Sequence, residues 1–108
     1  MRHCVEIGIS MVEDDDSLDM PQNIILVLNA LNKTFNFDLT PENAEYYNTW
    51  ANEHAHHTYF WTVEDYKFNS SYQSFMDDFQ NTLAALKISC AVDLKVIPND
   101  SIIHFEID

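Results

Sequence analysis

The densest set of potential ligands in the chain is Glu53-His54-Ala55-His56-His57, one carboxylate and three imidazoles in a single short run. On a helix, Glu53 and His57 would stand four apart and His54 and His57 three apart, close enough to share a cation. His3 or His104, both on expected strands, could complete such a set. The spacing matches no standard zinc pattern, since neither His-Glu-x-x-His nor Cys-x-x-Cys occurs. The plainer reading is a polar helix end, where imidazoles suit the negative pole of the dipole and titrate near neutral pH. A metal-binding protein or metal-dependent enzyme built on this cluster stays the alternative, and no metal or other cofactor is expected.

The run Glu13-Asp14-Asp15-Asp16-Ser17-Leu18-Asp19 invites a calcium reading. An EF-hand loop needs glycine at its sixth position and a bidentate glutamate at its twelfth. Counted from Asp14, those positions hold Asp19 and Ile25, so a solvated acidic loop is expected instead. Nucleophilic chemistry finds no support either. Gly8 is the one glycine of the chain, which leaves no Gly-rich phosphate cradle and no Gly-x-Ser-x-Gly elbow. Cys4 and Cys90 fall on expected strands with no basic neighbour to favour the thiolate, and are read as free, inert thiols. No enzymatic activity is expected. Tyr46, Tyr47, Trp50, Tyr59, Phe60 and Trp61 are read mainly as core; any exposed member of the set is a candidate interface anchor.

Charge narrows the partners. Eighteen Asp and Glu against five Lys and Arg give a formal net charge of −13 in 108 residues. A chain this acidic repels nucleic acid and anionic membrane, because a phosphate backbone must be neutralised by Lys and Arg. It attracts cations and basic protein surfaces. Solubility of a small domain is served by a net charge of about 2 to 8 in magnitude, so the excess points to an electrostatic role. No apolar run is long enough to span a bilayer, and Met1–Glu6 lacks a signal-peptide pattern, so the cytoplasm is the expected compartment.

The elements that must position these residues follow from periodicity. Residues 3–12 alternate, with Val5, Ile7, Ile9 and Met11 on one face, as in a strand with one buried side. A helix is expected over 21–34, with Asp19 as N-cap and Pro21 in its first turn; its wide apolar stripe (Ile24, Val27, Leu28, Leu31, broadened by Ile25 and Leu26) predicts a largely covered element. Thr40-Pro41-Glu42 reads as the start of a second helix fraying near residues 53–57. Residues 58–64 are strong β-formers. Ser70 and Gln73 suggest a capping box before the stripe Tyr72, Phe75, Met76, Phe79, Leu83 and Leu86. Two alternating runs, 88–97 and 101–108, flank the turn residues Pro98-Asn99-Asp100 and form a hairpin.

The expected architecture is one α+β domain over residues 1–108, in the order β-α-α-β-α-β-β. It is a two-layer sandwich of a mixed four-stranded sheet and about three helices, with parallel neighbours from the strand–helix–strand units. The expected function is that of a non-enzymatic acidic inhibitor that blocks a basic, nucleic-acid-binding surface of another protein such as a nuclease, as an immunity, anti-defence or DNA-mimic protein would. The expected contacts are Glu13, Asp14, Asp15, Asp16, Asp19, Glu42, Glu45, Asp77 and Asp78, on a helix-and-loop surface. A third reading is a homo-oligomeric scaffold joined through an exposed edge such as strand 101–108; the chain is otherwise a monomer or small homo-oligomer.

Overall fold

The computed structural model describes residues 2–13, 22–52 and 54–107, with Glu13 and residues 99–101 described for backbone alone. Asp14, Asp15, Asp16, Asp19, Glu53 and the Glu13 side chain therefore lie outside the described residues. The elements are β1 (Arg2–Glu13), α1 (Asn23–Phe35), a 3-10 turn (Pro41–Asn43), β2 (Glu45–Ala51), β3 (His54–Lys67), α2 (Tyr72–Leu86), β4 (Cys90–Ile97) and β5 (Asn99–Ile107). The class is α+β, but among the described residues the sheet has five strands where four were expected, in the order β2-β3-β1-β4-β5, and two helices cover it.

The extra strand replaces the expected second helix. Its start signal is real: Thr40 Oγ1 accepts from Asn43 N–H at 3.1 Å, and Asn43 Oδ1 accepts from Thr40 N–H at 2.9 Å. The turn stops there because Glu-Tyr-Tyr-Asn-Thr-Trp-Ala is rich in aromatic and β-branched residues and offers no stripe for a helix to bury. Ala51 pairs with His54, so the chain reverses over two residues, with Asn52 at φ 53° in the left-handed region that asparagine tolerates. The histidine run thus lies at the start of a fourteen-residue strand, not at a helix end.

The hairpin also changes the sheet. Every neighbouring pair is antiparallel, in place of the expected mixed sheet. β1 and β2 run parallel across α1, as do β3 and β4 across α2, but β3 inserts between the first pair and β1 between the second. Crossovers still join parallel strands, though not adjacent ones. This is the ferredoxin-like split β-α-β connectivity with a fifth strand added, a scaffold that hosts many functions and selects none.

Both helices cover one face. Val5, Ile7, Ile9 and Met11 of β1, Tyr59 and Trp61 of β3, and Val92, Leu94 and Val96 of β4 meet Ile24, Val27, Leu28 and Leu31 of α1 and Phe75, Phe79 and Leu83 of α2, all buried. Phe35, Phe75 and Phe79 pack ring against ring, with centroids 5.2 to 6.0 Å apart. α1 is less covered than its wide stripe predicts, since Ile25 and Leu26 stay exposed. It starts at Asn23 with Gln22 at its N-cap, making no side-chain capping bond, and ends on Asn36 at φ 59°. α2 is capped by Ser71, which accepts from Ser74 N–H at 3.1 Å, one residue later than expected.

Candidate functional site

Among the described residues the second face of the sheet has no helix on it, and strand register assembles its side chains into rows. One row reads Glu45, Phe60, Gly8, Asp93 and His104 across all five strands in turn. Above it lies Thr62, Glu6, Lys95 and Ile102; below it, Tyr47, Thr58, Ser10, Ala91 and Glu106. The central row dips at Gly8. A Cβ built there would stand 3.0 Å from Phe60 Cε1, so the missing side chain is what lets the Phe60 ring lean over β1.

Around that dip the face forms an open depression of about 730 Å³, in which Glu6, Glu45 and Asp93 face a single Lys95. Apolar groups sit among the charges, with Phe60 41%, Tyr47 57% and Ile102 63% exposed. The Tyr47 hydroxyl donates to Glu45 Oε2 at 3.2 Å and its ring meets Phe60 edge-on. Ser10 Oγ and Thr58 Oγ1 lie 3.1 Å apart across the β1–β3 ladder. At the β5 side, His104 Nδ1 is 2.6 Å from Asp93 Oδ1 and its Nε2 is 3.7 Å from Glu106 Oε1. The hydrogen bond to Asp93 is the main reason that the His104 pKa is raised above its ordinary 6.5.

The residues expected to bind a partner divide between the layers. Glu45 opens β2 and lines the depression, and Glu42 is exposed in the turn beside Asn43, another lining residue. Asp77 and Asp78 are exposed on α2, in the helical layer; Asp77 accepts from Gln73 Nε2 at 3.0 Å. Glu6, Asp93 and Glu106 were missed as contacts. Their signal was the polar half of each alternating strand, which a search for core residues passes over.

The helical spacing on which a cation site depended is absent. Along β3 the histidines alternate, so His54 and His56 lie on the open face and His57 on the helix-side face, fully buried. His57 Nδ1 is 2.6 Å from the Tyr46 hydroxyl, which also accepts from Asn48 Nδ2 at 3.2 Å. Among the described residues, no three or more His, Cys, Asp or Glu side chains gather in a way that could hold a metal ion. Both cysteines are free: Cys4 belongs by register to the open face and Cys90 to the buried one. Of the six aromatics read mainly as core, Tyr59 and Trp61 are buried, while Tyr46, Tyr47, Trp50 and Phe60 are exposed.

Among the described residues no helix is long and apolar enough to cross a membrane. No protein-family model, curated protein or solved structure matches the chain.

Proposed function

We propose that the protein acts by binding: it is an acidic, non-enzymatic inhibitor whose open sheet face docks on a basic, nucleic-acid-binding surface of another protein. The observation that carries this reading is the composition of that face. Carboxylates of Glu6, Glu45, Asp93 and Glu106 are interspersed across the five strands with exposed Phe60, Tyr47 and Ile102. The carboxylates steer a basic partner and set its orientation, while the apolar groups interspersed with them provide, once desolvated, the lasting affinity. The formal charge of −13 extends the attraction beyond contact distance. This moves the proposed contact from the helix-and-loop surface to the sheet, with Glu45, and Glu42 beside it, retained from the expected set.

The test is affinity capture on the immobilised protein, in parallel with two variants. One reverses the face (Glu6→Lys, Glu45→Lys, Asp93→Lys) and the other the helical layer (Asp77→Lys, Asp78→Lys). Nucleic-acid-binding proteins should be retained by the wild type and the helix variant, lost from the face variant, and displaced by excess duplex DNA. They should elute as salt rises, since the Debye length falls to about 3 Å at 1 M. Retention by the face variant but not the helix variant would return the contact to the helices. Retention that survives high salt and duplex DNA would sink the electrostatic reading.

A further inference from the structure

β2 ends the sheet order and, among the described residues, is hydrogen-bonded to β3 alone. All seven of its residues are exposed. On an edge strand every second residue turns its N–H and C=O away from the sheet, a template for another strand. Natural edges are blunted by proline, lysine or a bulge. Glu45–Ala51 contains neither residue, and its register with β3 runs without a shift. The other edge differs: the β4–β5 ladder is irregular between Lys95 and Val96, and His104 and Glu106 stand on β5.

We infer that β2 is the pairing edge for a second copy of this chain, antiparallel and centred on Asn48. About that centre Tyr46 faces Trp50 of the other copy twice over, Tyr47 faces Thr49, and Glu45, the strand's one charged residue, faces Ala51. No like charges meet, and each exposed Trp50 gains an aromatic neighbour, a pairing that stabilises antiparallel ladders. Moving the centre to Tyr47 would set Trp50 beyond the end of the partner strand. Tyr46, Asn48 and Trp50 pair with Tyr59, His57 and Ala55, so they share the helix-side face. A two-fold axis normal to the sheet keeps that face common to both copies and merges the two sheets into one.

Size and charge set the strength. A single-strand interface falls at the small end, below about 1,200 Å² in total, which belongs to transient association. The net charge of −13 on each copy opposes the dimer from a distance, and salt screens that repulsion. Dimerisation therefore strengthens as salt rises, the reverse of the basic-partner contact on the open face. The two contacts share Glu45 and Tyr47 of β2 but have opposite salt dependence.

Sedimentation equilibrium of the full chain from micromolar to millimolar concentration should show a monomer–dimer equilibrium that shifts to dimer with added salt. Asn48→Lys sets two like charges opposite each other on the axis and should weaken the dimer by up to about fivefold, although it lowers the net negative charge. Under mild oxidation Asn48→Cys should give a disulfide-linked dimer. Tyr46→Cys, facing Trp50 across the axis, should not, nor should the wild type through Cys4 and Cys90. Amide exchange needs no substitution: the β2 amides that turn away from β3 should be protected in concentrated and not in dilute wild-type samples. A monomer throughout, a dimer indifferent to Asn48→Lys, equal cross-linking by both cysteine variants, or concentration-independent exchange of β2 would each overturn the inference.

Discussion

The two faces of this sheet share the same strands and differ in which residue parity they receive. On the helix-side face Ile7, Ile9, Val92 and Leu94 of β1 and β4 are essentially inaccessible and belong to one apolar core. On the open face, one residue along, Glu6, Gly8, Asp93 and Lys95 lie to one side of Phe60, while Tyr47 and Ile102 stand in water. Where β1 and β4 cross it, the first face is explained by stability alone. The second is not, because exposed aromatic and aliphatic groups on one surface add little to folding and mark a place of contact. Burial thus accounts for half of the sheet, and binding is the physical account proposed for the other half.

The widest separation between the faces is expected in truncation. Phe79, inaccessible on α2 and packed against Phe35, Phe75 and Phe105, should lose about 3–5 kcal/mol as Phe79→Ala, through lost transfer energy and the cavity left behind. Phe60→Ala removes a ring of the same size from the open face and should cost under about 1 kcal/mol, in the range of exposed substitutions. Urea unfolding of both variants measures the difference. Equal losses would show that the Phe60 ring over Gly8 is a structural seal, and would break the distinction between the faces.

Much of the helix-side face was legible in the sequence, because burial imposes a period that single residues display. Val5, Ile7, Ile9 and Met11 announced β1, and Phe75, Phe79 and Leu83 announced α2. The segment 40–57 was misread, since a true capping signal at Thr40 preceded a strand whose aromatic and β-branched residues favour β structure but whose place is fixed by its pairing with β3. The open face was hidden for the same reason. Glu45, Phe60, Gly8, Asp93 and His104 form one row through registers between segments far apart in the chain, and no local pattern encodes such a register. Gly8 gave one local hint, since an isolated glycine inside a strand marks a close approach.

The cysteines probe the same distinction without changing the protein. Cys90 is on the helix-side face, where burial pushes its thiol up to about 11. Cys4 is half-buried on the other side; burial, and then the nearby carboxylates of Glu6, Glu64 and Asp65, raise its pKa as well. Since the thiolate is the reactive form, both should be slow towards a disulfide reagent at neutral pH. In the native protein Cys4 should still react first, and Cys90 only as the domain opens, so that its rate follows urea-induced unfolding. Comparable rates for the two would mean that the helical layer does not shield Cys90.

The smallest effect expected lies within the open face, at the link between β4 and β5. His104 is exposed, so its contribution to stability is slight, but its direction is fixed. Its pKa is raised, first by the hydrogen bond to Asp93 and more weakly by Glu106. The protonated form is thus favoured in the folded chain. The stability it adds is fully present below the ordinary value of 6.5 and is lost as pH rises through the raised one. His104→Gln should flatten the pH dependence of stability in that window just above 6.5. In an NMR titration the His104 ring should change charge above 6.5, and Asp93→Asn should return it towards that value. A midpoint at or below 6.5 in the wild type would show that the 2.6 Å contact does not hold in solution. The Glu45-to-His104 row would then lose its organised end, leaving Phe60 and Gly8 to define the face alone.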